Sequence, residues 1–122
     1  MFTITVKKTF FASHYLKNYS DVNEPIHDHQ WIIEAKFESS TLDKAGCAID
    51  FRDIDRAFQE ILTPYQGKNL NDLEAFKKTS PSAENIACVV FEQLSKFLKG
   101  KAAHLASVTA WEDESHGATY SL

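Results

Sequence analysis

The chain has 122 residues, a formal net charge of −4 and a sequence pI of about 5.7. This charge argues against a nucleic-acid-binding protein, which needs a basic face. We expect one globular domain over residues 1–122, because 43% of the residues are hydrophobic and 25% are charged. No apolar run approaches the roughly 20 residues of a membrane span, and no signal-peptide core is evident. The two cysteines do not suggest a disulfide framework, so we expect a cytoplasmic protein with reduced thiols.

The first two predicted elements are β-strands. Residues 2–11 alternate apolar and polar side chains, which is the period-two pattern of a half-buried strand. Residues 29–38 are rich in aromatic and β-branched types, which favour a second strand. The polar segment between them is predicted to be a loop.

The next predicted element is a helix. Apolar residues recur at helical spacing over residues 51–62, and Asp50 or Asp53 favours the helix start. Pro64 and Gly67 are expected to end it.

A second helix follows the polar stretch 69–80, which is predicted to be irregular. Ser80 suits the N-cap position and Pro81 suits the first helical position. An apolar stripe runs over residues 86–98, and Gly100 suits the C-terminal end.

The last two predicted elements are strands at residues 104–112 and 117–121, around a turn with Ser, His and Gly. The order strand, strand, helix, helix, strand, strand predicts an α+β fold with a four-stranded antiparallel sheet and two helices on one face. Such a sheet has exposed edges, so we expect sheets to join between subunits.

Three histidines form a candidate metal site. His27 and His29 have the spacing H-x-H, so on a strand both side chains lie on the same face. His14 lies just past the end of the first predicted strand, and the three rings can converge if the two strands are neighbours. Three imidazoles with an open fourth position are typical of catalytic zinc, although copper, iron and nickel also accept such ligands. The alternative is the ordinary polar face of a strand.

Several segments in this order resemble the 6-pyruvoyl-tetrahydropterin synthase family, which also includes the 6-carboxytetrahydropterin synthases. FFASHYL followed by IHDHQW is similar to the family's zinc motifs. Four further segments are similar to family motifs, namely GCAIDF at 46–51, LND at 70–72, SPSAENIA at 80–87 and WEDESHGATY at 111–120.

The resemblance implies the tunnelling fold, in which subunit sheets join into a barrel, commonly as trimers stacked into hexamers. It implies that His14, His27 and His29 bind Zn²⁺. It also implies that Glu112 binds the pterin ring, since a carboxylate can accept two hydrogen bonds from the ring. Ser82 stands where a pterin-contacting threonine usually lies. Without the resemblance, Glu112 is interpreted as a solvated carboxylate at a strand end.

The chain departs from the family at the proton-transfer groups. Asn23 stands in place of a cysteine, and an amide has no useful protonation change near neutral pH. Gln66 and Gly67 stand in place of an Asp-His pair. Neither cysteine of this chain matches the family position: Cys88 is predicted to be a core residue of the second helix, and Cys47 to lie in a loop.

Glu24 is the candidate that replaces the missing cysteine. A branch of the family is expected to use a glutamate near this place to form 6-hydroxymethyl-dihydropterin from dihydroneopterin triphosphate. Glu24 would then be a general base. The alternative is a surface glutamate before Pro25. His116 and His104 are further candidates for the lost histidine.

The sequence therefore favours a zinc-dependent lyase that acts on the side chain of dihydroneopterin triphosphate, with a pyruvoyl, carboxy or hydroxymethyl pterin as product. Two alternatives stay open. One is a non-catalytic protein that binds zinc and pterin. The other is a zinc enzyme with a different pterin-like or purine-like substrate.

Overall fold

The computed structural model describes residues 1–18 and 24–122. Its elements follow the predicted order and confirm the α+β fold with two helices on one face of an antiparallel sheet. The strands and helices are β1 (Phe2–His14), β2 (His27–Ser39), α1 (Phe51–Leu62), α2 (Ala83–Ser95), β3 (His104–Trp111) and β4 (Gly117–Tyr120).

The sheet has the order β1-β2-β3-β4, and each neighbouring pair is antiparallel. Its two faces differ sharply in burial. On one face, paired residues such as Phe10 and Trp31 are fully buried with the apolar residues of both helices. The neighbouring positions Phe11 and Gln30 are exposed on the other face. The core therefore lies between the sheet and the helices.

Both of the first two strands extend beyond their predicted ends. β1 continues to His14 and β2 begins at His27, and these two residues are directly paired. His14 is therefore a strand residue, and it is 1% exposed. The prediction stopped short because the alternation of polar and apolar side chains is interrupted by histidines, which are polar residues on the buried face.

The helix starts differ in how well they were predicted. Asp50 caps α1, since its side chain accepts a hydrogen bond from Arg52 N, but Phe51 at the start of the predicted apolar stripe is 59% exposed. The predicted start of α2 was wrong. Ser82, not Ser80, is the N-cap, and its side chain accepts from Asn85 N.

The stretch 69–80 is not irregular throughout. It contains two short 3₁₀ turns, Leu70–Asp72 and Glu74–Phe76. The side chains of Leu70 and Phe76 are fully buried, so these turns close one side of the core. A 3₁₀ turn of three residues is too short to show a periodic pattern.

Residues 66–68, just before these turns, are hydrogen-bonded to the C-terminal part of β1, on the edge that does not face β2. Phe11 N donates to Gln66 Oε1 at 3.0 Å, and Gly67 N donates to Phe11 O at 2.7 Å. Ser13 N donates to Lys68 O at 3.0 Å. Gly67 has φ +73°, a conformation that suits glycine.

Within the described ranges, no helix combines the length and the apolar character that crossing a bilayer requires.

Candidate metal centre

Three histidines and one glutamate converge at one end of the sheet. His14 comes from the end of β1, and His27 and His29 come from the start of β2. Glu112 directly follows β3. Its carboxylate lies with the three imidazoles, and one ligand atom from each residue lies within 4.8 Å of the others. The structure thus places the three predicted histidines together, and adds Glu112 to them.

Hydrogen bonds to backbone carbonyls fix two of the rings. His14 Nδ1 lies 2.7 Å from Pro81 O, and His27 Nδ1 lies 3.0 Å from Pro25 O. A carbonyl oxygen only accepts, so each Nδ1 must carry the hydrogen. In the neutral tautomer this leaves Nε2 with a free lone pair, which is the state that binds a metal.

The free nitrogens face each other. His14 Nε2 lies 2.9 Å from His27 Nε2. Two lone pairs at this distance repel each other unless a proton or a cation lies near them. A second proton on His14 is disfavoured, because burial lowers the pKa of His14 below its ordinary value. A metal cation satisfies both nitrogens at once.

The third histidine supplies an independent observation. His29 Nε2 is buried and has no hydrogen-bond partner among the described residues. Glu112 Oε1 lies 2.8 Å from this nitrogen, but the contact lacks hydrogen-bond geometry. A buried nitrogen without a partner is costly, and a metal ion would provide the missing partner. The donor set therefore fits a zinc ion, which accepts nitrogen and oxygen ligands.

A buried tryptophan packs against two of the imidazole rings on the core side of the cluster. Trp31 is fully buried, with its ring centroid 4.9 Å from that of His14 and 5.5 Å from that of His29, both edge to face. Phe10 stacks against Trp31 with centroids 6.3 Å apart. The imidazoles therefore rest on packed core residues, which fix their positions.

The lowered pKa of His14 predicts an acid-dependent loss of stability in the metal-free protein. Below about pH 6.5, His14 is protonated in the unfolded chain but still neutral in the folded chain. The free energy of unfolding therefore falls as the pH is lowered, until His14 is protonated in the folded chain as well. The variant His14→Asn keeps an N–H that can donate to Pro81 O but does not titrate. Urea unfolding at about pH 7.5 and about pH 5.5 should show the larger acid-dependent loss in the wild type. An equal loss in both proteins would contradict this assignment.

Sequence reasoning missed the residues that hold the chain beyond β1. The Asn71 amide accepts from Tyr15 N and donates to Tyr15 O, at 2.9 and 3.0 Å. Ser80 Oγ accepts from Lys17 N at 2.7 Å. These contacts tie the segment after His14 to the 3₁₀ turn Leu70–Asp72 and to the residues just before α2. The LND motif includes Asn71, but the sequence does not show that its amide bonds both backbone groups of Tyr15. That contact forms only when the two distant segments come together in the fold.

Glu24 lies at the rim of the histidine cluster. Its Oε1 accepts a hydrogen bond from Leu16 N at 2.9 Å and lies 3.7 Å from His27 Nε2. Its side chain is 20% exposed, so it is not the free surface glutamate of the alternative interpretation. Ser82 is occupied as the N-cap of α2. Asn23 lies outside the described residues.

The other candidate histidines do not join the cluster. His116 is exposed in the β3–β4 turn, where its ring is hydrogen-bonded to Asp113 at 2.9 Å. His104 lies 3.2 Å from Glu38, at the opposite end of the sheet.

Gln66 and Gly67, which the sequence predicts to replace the family's Asp-His pair, are hydrogen-bonded to the edge of β1. The two cysteines are free. Cys47 is exposed and lies in a loop, as predicted. Cys88 is only half-buried and is not a core residue, because it lies at the margin of the buried face of α2.

Solved structures of known proteins share this fold. The 6-pyruvoyl tetrahydropterin synthase of Caenorhabditis elegans aligns with a TM-score of 0.83 and 24% identity over 99% of this chain and 95% of its own. The enzyme of Plasmodium vivax aligns with a TM-score of 0.80 and 15% identity over 98% and 96%. A Plasmodium vivax variant, in which a glutamate described as a catalytic residue is replaced by alanine, gives 0.79 and 14% over 98% and 96%.

No curated protein matches this sequence. The family model of 6-pyruvoyl tetrahydropterin synthase matches residues 3–122, almost the whole length. The chain therefore belongs to the 6-pyruvoyl tetrahydropterin synthase family.

Proposed function

We propose that this protein is a zinc-dependent lyase that acts on the side chain of dihydroneopterin triphosphate. Membership of the family supports an enzyme-like role in pterin chemistry. The observation that carries the proposal is the convergence of the Nε2 atoms of His14, His27 and His29. The Nε2 of His29 is buried and has no hydrogen-bond partner in residues 1–18 and 24–122. This is the donor set of a catalytic zinc site.

Each residue has a distinct part in the proposed reaction. The three histidines hold the metal, and two of them are fixed by carbonyl oxygens. A zinc ion at this position supplies a Lewis acid that polarises the hydroxyl groups of the substrate and makes the adjacent C–H bond more acidic.

Glu24 accepts the carbon-bound proton as the general base. The 3.7 Å distance from its Oε1 to His27 Nε2 supports this part, because a substrate held at the cluster would lie near the carboxylate. The catalytic glutamate of the Plasmodium vivax relative supports a carboxylate in this part.

Binding of the pterin ring is assigned to Glu112 and Ser82. Glu112 can accept two hydrogen bonds from the N–H and amino groups of the ring. Ser82 begins α2 close to the site, because the carbonyl of its neighbour Pro81 binds His14. Its hydroxyl accepts from Asn85 N and still has a hydrogen to donate to a ligand.

The protein is further proposed to act as a homo-oligomer, a trimer or hexamer, in the cytoplasm. β1 and β4 are the edges of the sheet among the described residues, and strand edges of this kind can pair with other subunits. The free thiols of Cys47 and Cys88 agree with a reducing compartment.

A second candidate is a homologue that binds zinc and pterin without turnover. It is favoured by Gln66 and Gly67, which stand in place of the family's Asp-His pair. Neither residue can transfer a proton, and both are hydrogen-bonded to β1. The two candidates differ in turnover and not in metal content.

The deciding experiment measures zinc per chain and turnover of dihydroneopterin triphosphate for the wild type and His27→Ala. We expect about one zinc per chain in the wild type, and a loss of both metal and turnover in the variant. His27 is half-buried at a strand end, so the variant should fold. His104→Ala is the matched control, because His104 is also the first residue of a strand and lies close to a carboxylate, but at the opposite end of the sheet.

Zinc at background level in the wild type would overturn the proposal. Zinc and bound pterin without turnover would favour the second candidate.

A further inference from the structure

The carboxylate of Glu112 is directed into the histidine cluster and lies close to all three rings. Its Oε1 is 2.8 Å from His29 Nε2 and 3.7 Å from the Nε2 atoms of both His14 and His27. Ligand atoms around a tetrahedral zinc ion with bonds of about 2.0–2.1 Å are about 3.3 Å apart. The distances of 2.8, 2.9, 3.7 and 3.7 Å among these donor atoms lie on either side of that value.

Hydrogen bonding does not explain this position. The short contact with His29 Nε2 lacks hydrogen-bond geometry, and His14 and His27 carry their hydrogens on Nδ1. The carboxylate oxygen thus faces three nitrogens, of which at least two offer lone pairs. A negative oxygen among such acceptors is unfavourable unless a cation lies between them.

The backbone directs Glu112 to this point. Ile32 pairs with Trp111, so the next residue, Glu112, lies beside Trp31 on the buried face of the sheet. Glu112 N donates to His116 O at 2.9 Å. This bond closes the β3–β4 turn and fixes the backbone from which the Glu112 side chain extends. Glu112 is half-buried, whereas its neighbours Asp113 and Glu114 are exposed.

We propose that Glu112 is a displaceable fourth ligand of the metal: it closes the site in the absence of pterin, and it leaves when a substrate binds. This inference rests on the proposed function, because it requires a metal at the three histidines. The paired hydrogen bonds to the pterin ring would use both carboxylate oxygens, so the metal-bound and ring-bound positions of Glu112 are alternatives in this proposal. When the substrate hydroxyls bind the metal, they would displace the Glu112 carboxylate, which could then bind the pterin ring. When the pterin dissociates, the carboxylate would bind the metal again.

Metal affinity and Co²⁺ absorption, both measured without any pterin, test the proposal. We expect the Kd for Zn²⁺, from competition with a chelator, to rise at least roughly tenfold in Glu112→Gln. The visible spectrum of the Co²⁺-loaded protein should change in the same variant. Glu114→Gln is the matched control, because it removes a charge from the same turn without touching the histidines, and it should behave as the wild type.

Two further measurements complete the test. Glu112→Asp keeps the charge but withdraws the oxygen by one methylene, so its Kd should also rise. Neopterin, added as the probe, should shift the Co²⁺ spectrum of the wild type as its hydroxyls replace the carboxylate. Equal Zn²⁺ affinity and an identical Co²⁺ spectrum in wild type and Glu112→Gln would overturn the fourth ligand but leave the zinc site intact. Absence of Zn²⁺ binding in the wild type would overturn the proposed function as well.

Discussion

Replacing Glu24 with glutamine is expected to lower the turnover of dihydroneopterin triphosphate by about 10²–10⁴-fold, the usual contribution of a general base. Glutamine keeps the side-chain oxygen that accepts from Leu16 N, so the local structure should be preserved. Zinc content should stay at the wild-type value, because Glu24 is not among the converging donor atoms. Steady-state kinetics and metal analysis of the same preparation check both expectations.

The control for this variant is Glu114→Gln, which removes one carboxylate from an exposed turn. It should leave kcat and KM unchanged. A Glu24→Gln protein with full turnover would show that Glu24 is not the base. A protein that loses its zinc together with its turnover would instead indicate that Glu24 contributes to the metal site.

The second large effect is expected for Trp31→Ala. Trp31 is fully buried and lies under the rings of His14 and His29. Truncating a buried tryptophan leaves a cavity, and such changes cost about 3–5 kcal/mol. The free energy of unfolding of the metal-free protein, measured in urea at a fixed chain concentration, should fall by this amount. Zinc affinity should fall too, because the imidazoles lose their support.

Trp111→Ala is the matched control on the opposite face of the sheet. Trp111 is only half-buried, and its Nε1 donates to Glu34 Oε1 at 3.1 Å. Its removal should cost less, about 1–2 kcal/mol, and should leave the zinc affinity unchanged. Equal losses of stability in the two variants would contradict the assignment of the core to the face that carries Trp31.

Periodicity predicted the elements well but not their ends. The alternation in β1 and the helical spacing in α1 reflect which face is buried, so both could be recognised from the sequence. The end of β1 at His14 could not, because the last paired residues are set by the register with β2. The start of α2 was missed for a related reason: Ser80 binds Lys17 N, a residue distant in sequence, which leaves Ser82 to cap the helix.

The candidate site could be predicted only in part. The spacing of His27 and His29 on one strand placed them on one face, and the neighbouring strand supplied His14. The position of Glu112 among them depends on the pairing of Ile32 with Trp111, which neither segment encodes alone. The carbonyls that orient the histidines, Pro25 O and Pro81 O, belong to the backbone and leave no signal in residue type.

The segment at residues 66–69 has a consequence for assembly that goes beyond the single chain. It occupies the hydrogen-bonding groups of β1 at Phe11 and Ser13, so a strand from another copy can pair only with the part before Phe11. A shift by one residue in a β-ladder exchanges the two faces of a strand. In the proposed homo-oligomer, the segment would therefore limit slippage of a strand from another subunit. It also keeps this edge from serving as an open-ended template for polymerisation.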